Sequence, residues 1–191
     1  LYTNGVLIME KCEQLLPDYY SFVKGVVDTD DLSLNISRET LQNDKHVINI
    51  GKALETKIHS SLLSILKDDF ESYKKFFKEF GMQLKLGVYN DYGMHKDELK
   101  DLLLFYSSKD EKYITLKEYV DRMKDDQKAI YYAIGKSVDE IQNLPAMGKL
   151  KEKGYEVLYF LDERDEFVAN TLMNYAEKPF QSVNKGDLDL E

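Results

Sequence analysis

Cysteine is almost missing from this sequence: Cys12 stands alone among 191 residues, so no internal disulfide can form and no cysteine-rich metal site can be assembled. That usage fits a reducing compartment and predicts a cytoplasmic protein. Basic side chains are also in deficit, 26 against 35 acidic ones. The resulting net charge of −9 repels phosphate backbones and anionic bilayers, which argues against nucleic acid and membranes as partners. Long apolar runs are lacking too, since stretches such as Val6 to Met9 and Leu102 to Tyr106 are far too short to span a bilayer or serve as a signal segment. No internal repeat or low-complexity linker interrupts the chain. What is present, 43% hydrophobic and 12% aromatic residues, suffices to build cores. An opening Leu1 in place of Met, running straight into strand-like sequence, predicts a piece of a longer protein.

Leu1 to Met9 is rich in strand formers, and one continuous strand is expected there although Asn4-Gly5 is a hairpin-turn dipeptide. Pro17 suits a helix first turn with Tyr20, Val23 and Val27 on one face, ended by Asp28, Asp30 and Asp31. After a loop from Leu32 to Ile36, Ser37 is a fitting N-cap for a long helix with the stripe Leu41, Val47, Ile50, Leu54, Ile58, Leu62 and Ile65, weakened at Gly51. Phe70, Tyr73, Phe77, Phe80 and Leu84 mark another helix, and Leu99, Leu102, Leu103 and Tyr106 a third. Capping boxes at Thr115 with Glu118 and at Ser137 with Glu140 open two short helices. The second follows a strand over Ala129 to Ile134. Tyr155 to Leu161 then reads as a buried strand, Glu166 to Met173 as a helix and Phe180 to Val183 as a last strand, an alternation that implies a small parallel sheet. The rhythm changes near residue 110, from mostly helical to compact α/β.

The stretch Asn35-Ile36-Ser37-Arg38-Glu39-Thr40-Leu41-Gln42 places an arginine at a helix start, where the macrodipole disfavours cations. Two arrangements fit. Arg38 either reaches outward to an anion, with backbone amides and the side-chain amides of Asn35 and Gln42 nearby, or pairs with Glu39 or the preceding aspartates. Other apparent motifs fail on their spacing. Gly135-Lys136-Ser137 lacks the earlier glycine of a phosphate loop, where Ile130 stands. Asp28, Asp30 and Glu39 fit calcium-loop positions, but Leu32 and Ser33 occupy places that need an oxygen ligand and a glycine. His46, His59 and His95 lack ligand spacing, Cys12 sits in no nucleophile motif, and Phe167 on its acidic helix reads as buried in the small domain.

From Asp31 through Leu32, Ser33 and Leu34 to Gln42, the sequence resembles the catalytic loop of heat-shock protein 90 chaperones, their bacterial form most of all. Phe22 to Asp28, Gln127 to Tyr132, Gly154 to Leu158 and Asp165 to Phe167 resemble the same family in the same order, so the likeness covers essentially the whole chain. It differs at Asn4-Gly5, at Ser33 where proline is common, and at Thr40 where methionine is common.

The resemblance implies an α/β (α+β) fold in three parts: residues 1–70 as the C-terminal part of a larger αβα layer with a strand, long helices and the catalytic loop, residues 71–110 as a helical connector, and residues 111–191 as a small three-layer αβα unit with a short parallel sheet. It implies part of the middle segment of a homodimeric, ATP-driven clamp that handles unfolded or partly folded clients. Arg38 would approach the terminal phosphate of ATP, with Asn35 and Gln42 supporting loop and phosphate and Ser37 and Glu39 shaping the helix start. ATP with Mg2+ would be held mainly by a separate N-terminal ATPase domain, with dimerisation through a C-terminal domain, so that this segment alone neither carries a cofactor nor hydrolyses ATP. Glu166, Phe167 and Asn170 would lie on a client-binding surface, with Phe167 replacing the family's usual tryptophan. Composition by itself equally fits an acidic, mostly helical interaction domain. An independent small-molecule enzyme has no motif to support it.

Overall fold

The computed structural model describes residues 1–186, 188 and 190. It divides into two compact units, Leu1–Tyr73 and Lys74–Glu191. Helices and mixed sheets share the chain, so the fold is α+β as expected. No helix among the described residues is long and apolar enough to cross a membrane.

The first unit opens with β1 (Tyr2–Thr3) and β2 (Val6–Leu7), continues through β3 (Asp28–Thr29), and ends in α1 (Arg38–Asn43), α2 (Lys45–Asp68) and the start of α3 (Phe70–Tyr89). The expected continuous strand over Leu1 to Met9 is instead a hairpin, with Tyr2 opposite Leu7 and Thr3 opposite Val6. Asn4 and Gly5 both take positive φ, 47° and 75°, the mirror-image turn that matches strand twist. Two-residue strands persist because β1 pairs in parallel with β3 on its other edge and the Gly5 N–H donates to the Asp28 carboxylate, 3.1 Å to Oδ2.

The helix expected from Pro17 shrinks to a 3-10 turn over Asp18–Tyr20. Downstream, the Val27 carbonyl accepts from Tyr2 N–H at 2.7 Å, so sheet pairing has taken a segment whose apolar spacing looked helical. Asp28 accordingly lies in a strand.

The long helix after Ser37 is interrupted. Asp44 is extended (φ −71°, ψ 123°) and its carboxylate accepts from the N–H groups of His46 and Val47, at 2.8 and 3.2 Å, capping α2 afresh. Leu41 and Val47 are completely buried across this break, in a cluster with Leu1, Leu15 and Leu32. Gly51 is a point of close approach: a Cβ there would stand 2.9 Å from the Gln14 carbonyl oxygen.

In the second unit α3 runs on to Tyr89, followed by α4 (Lys96–Leu99) and a 3-10 turn over Lys100–Leu102. Tyr106, expected on a helix, lies in β4 (Phe105–Ser107), because Leu102 to Phe105 are buried without the alternation of a one-sided helix. Then come β5 (Tyr113–Ile114), α5 (Leu116–Asp121), β6 (Ile130–Ile134), α6 (Val138–Gln142), α7 (Met147–Lys153), β7 (Val157–Phe160), α8 (Arg164–Leu172), β8 (Asn174–Tyr175) and β9 (Lys178–Ser182). Thr115 and Ser137 cap α5 and α6 as their boxes predict, each hydroxyl accepting from the backbone N–H three residues on.

The expected parallel sheet is the centre of a six-stranded one, β5-β4-β7-β6-β9-β8. β7 and β9 flank β6 in parallel, with Tyr132 opposite both Leu158 and Ser182, while β4, β5 and β8 add antiparallel edges. One face of β6 and β7 presents Tyr131, Ala133, Val157 and Tyr159 to Ile141 of α6 and Leu150 of α7. The other face carries the Tyr132 and Phe160 rings, stacked with centroids 4.5 Å apart. Because β7 is buried along its whole length, it reads as a continuous apolar run.

Candidate functional site

The loop before α1 is anchored from beneath. Thr3 is fully buried, and its hydroxyl lies 2.6 Å from the Thr29 carbonyl and 3.1 Å from that of Leu32. Leu32 and Leu41 sink into the core, 6% and 0% exposed, and every residue between them is exposed except half-buried Ile36. The segment is thus an arch pinned at both ends. Anchoring two leucines contributes roughly 1.5–3 kcal/mol each.

Arg38 is the first residue of α1. Ser37 caps it: the Ser37 hydroxyl accepts from Thr40 N–H at 3.2 Å and lies 2.7 Å from the Thr40 hydroxyl. Ser37 is therefore engaged in fixing the helix start, as its place in the motif suggests. Arg38 projects from this fixed start as an exposed side chain that meets no carboxylate within ion-pair distance among the described residues. The local pairing with Glu39 or the preceding aspartates, one of the two arrangements the sequence left open, does not form. Gln42 lies one turn along α1 and is exposed, on the same helix face as Arg38. Asn35 is exposed in the loop, its backbone N–H turned 3.3 Å to Ser33 Oγ. Such an arrangement can offer a guanidinium and two amides to an incoming anion.

The second group of expected site residues lies on α8. Phe167 is not buried, as its sequence context suggested, but 57% exposed, its ring 5.6 Å from that of Tyr89. Asn170 is exposed one turn further on, and Glu166 lies beside the Tyr132 hydroxyl and 3.8 Å from Lys185 Nζ. These three side chains share one side of the helix. Tyr92 and Met94, 99% and 77% exposed, extend the exposed apolar residues of the same unit.

The decoys are explained by their contacts. Lys136 N–H and Ser137 Oγ are both committed to Glu140. His95 is bonded to Asp91, and His46 stands 3.9 Å from Asp31. Among the described residues no three His, Cys, Asp or Glu side chains gather as a metal-holding group.

Sequence reasoning missed the polar centre of the second unit. Arg122 pairs with buried Glu156, and its Nη1 lies 3.4 Å from Glu118 and 3.8 Å from Asp110. Ser107 also donates to Glu156. The buried Tyr119 hydroxyl donates to the Glu156 carbonyl at 2.6 Å and accepts from Gln127 Nε2 and Tyr131 N–H. Burial pushes the Tyr119 hydroxyl well above its ordinary pKa, which keeps it a donor. Only the long-range fold brings positions 107, 119, 122 and 156 together. Their one local sign is a tyrosine and an arginine three residues apart.

Over residues 1–191 the sequence matches the family described as Hsp90 protein. It is 60% identical over 191 residues to the Chaperone protein HtpG of Clostridium perfringens (strain 13 / Type A), covering all of this chain and 31% of that protein. The figures are the same for the Chaperone protein HtpG of Oceanobacillus iheyensis, and 58% identity with 30% of the relative covered for that of Clostridium botulinum (strain Langeland). The chain spans about a third of the length of these curated relatives.

Proposed function

The chain belongs to the Hsp90 protein family, and from that membership we propose that it is part of the middle segment of an ATP-driven chaperone whose Arg38 is delivered to the terminal phosphate of ATP held in a separate N-terminal domain. The observation that carries this reading is the exposed Arg38 side chain with no acidic partner among the described residues, standing on a helix start that Ser37 fixes. The guanidinium is therefore available to an incoming anion. A guanidinium brought up by domain closure neutralises charge spread over the phosphoryl oxygens, and arginine fingers of this kind contribute about 10³ to 10⁵ in rate. Gln42 and Asn35 would support the loop or the phosphate through their side-chain amides. Mg2+ would accompany ATP in the nucleotide domain, so the segment alone does not turn ATP over. The complete protein would be a cytoplasmic homodimer joined through a C-terminal domain. Residues 1–70 would close its larger αβα layer, residues 71–110 would form the connector and residues 111–191 the small domain.

A second role is favoured by the exposure of Phe167: with Glu166 and Asn170 it would form a contact for unfolded or partly folded clients. Its ring offers apolar surface beside two polar side chains, a pairing that suits contact with an incompletely buried chain.

The test is ATP turnover by the full-length chaperone with and without Arg38→Ala, beside nucleotide binding and thermal stability. Lost turnover with binding and stability intact is expected. Unchanged turnover would leave a non-catalytic acidic interaction domain as the better reading.

A further inference from the structure

In the second unit a cavity of about 720 Å³ opens between the turn after β4, α7 and the start of β7. Its size falls within the roughly 300–1,000 Å³ range of small-molecule sites. Arg122 and Glu156 both line it, but their charges are spent on each other, and Arg122 further on Glu118 and Asp110. The free charge comes from three exposed lysines on its lining, Lys109, Lys124 and Lys151, none of which has a carboxylate within ion-pair distance among the described residues. Against them stands one further lining carboxylate, Glu111, whose Oε1 accepts from Gln142 Nε2 at 3.5 Å. Over the lining alone basic side chains outnumber acidic ones four to two, inside a chain of net charge −9, while Asp110 and Glu118 lie against Arg122 and Asp126 against the Tyr155 hydroxyl.

Its other walls are of a different kind. Tyr155, Tyr159 and Met147 supply ring and thioether surface. Ser108 Oγ already accepts from Val157 N–H at 2.9 Å, so its own proton is free to be donated. Several ammonium groups on one lining favour a multiply charged anion, and the aromatic wall favours one with a carbon skeleton. The net negative charge of the whole chain repels long polyanions and so selects a short ligand.

We propose that this cavity binds a small organic phosphate carrying two or more negative charges, with Lys109, Lys124 and Lys151 taking the phosphate oxygens and the tyrosine and methionine wall taking the skeleton. Its lining includes no residue of the Arg38 loop, and it does not depend on the role proposed for that arginine.

The probes are sodium tripolyphosphate, phenyl phosphate and inorganic phosphate, titrated into the full chain by calorimetry, with backbone amide shifts followed in parallel. Saturable tripolyphosphate binding is expected, weakening with salt, with the largest shifts at Ser108, Gly148 and Val157, and phenyl phosphate should bind more tightly than inorganic phosphate. The triple variant Lys109→Gln, Lys124→Gln, Lys151→Gln should weaken tripolyphosphate binding by about tenfold or more. A control triple at Lys52, Lys57 and Lys67, exposed on α2, should leave it unchanged. Six exposed side chains are involved, and melting curves of both variants verify that neither fold is disturbed. Equal losses in the two triples, shifts confined to residues outside the cavity, or no saturable binding in the millimolar range would overturn the proposal. A triglutamate peptide that binds as well as tripolyphosphate would overturn the phosphate class.

Discussion

Arg38 in the first unit and Arg122 in the second carry the same side chain under opposite conditions. Arg122 is largely buried, 19% exposed, against three carboxylates, one of them almost fully buried. Arg38 stands in solvent at a helix start with no carboxylate in reach among the described residues. A buried arginine must be paired, because an uncompensated charge away from water costs several kcal/mol. An exposed one bears no such requirement, so its position reflects other pressures. Pairing marks a cation that holds the fold. An unpaired cation at a capped helix start is the arrangement that the proposed phosphate contact requires.

That contrast can be broken by measurement. Arg122→Ala strips the buried Glu156 of its guanidinium and leaves only the Ser107 hydroxyl on the carboxylate, which should destabilise the protein by about 3 kcal/mol or more in urea unfolding. Tyr119→Phe leaves the Tyr131 N–H and the Glu156 carbonyl without that hydroxyl, while the Gln127 amide keeps the Ala129 carbonyl, a loss of about 1–3 kcal/mol by the same measurement. Arg38→Ala should change stability by no more than about 0.5 kcal/mol, while turnover of the full-length chaperone falls. Destabilisation comparable to that of Arg122→Ala would abolish the distinction. Ser37→Ala sharpens it: about 1 kcal/mol is expected from the lost cap, seen as faster amide exchange at Thr40.

The smallest effect concerns the other buried pair, Lys85 Nζ and Asp165 Oδ1, 2.6 Å apart. Burial raises the Asp165 carboxyl above its ordinary 3.8, with the Lys85 ammonium opposing. Between that ordinary value and the raised one, the folded state holds a proton that the unfolded state has released. This residue therefore favours the fold increasingly as pH falls through the window. Asp165→Asn should remove the contribution, so the stability difference between native and variant protein should shift towards the native protein as the medium is acidified.

How much could be read in advance depended on range. Caps are local chemistry, so Ser37, Thr115 and Ser137 are legible from a hydroxyl and the next three residues. The helical stripe from Phe70 to Leu84 and the buried run around Val157 came from periodicity and from its absence. The segment after Pro17 failed because its spacing satisfied a helix while its hydrogen bonds went to β1. Tyr106 failed because leucines buried on all sides look like one face of a helix. α7, β4, β5 and β8 went unread. Of the candidate site, the motif names Arg38, Asn35 and Gln42 as candidates, but the burial of Thr3 and Leu32 that pins their loop has no local sign.

The sequence by itself determined the family, the capped helix starts, the net negative charge and the presence of an arginine where the helix dipole disfavours one. These are properties of neighbours along the chain, and short-range geometry leaves them few alternatives. Only the tertiary structure decided that Arg38 has no local partner, that Phe167 faces solvent, and that Arg122, Glu156, Tyr119 and Ser107 converge on one buried centre. Each of those depends on which distant segments exclude water from a side chain, and that is set by packing of the whole unit, not by spacing along the chain.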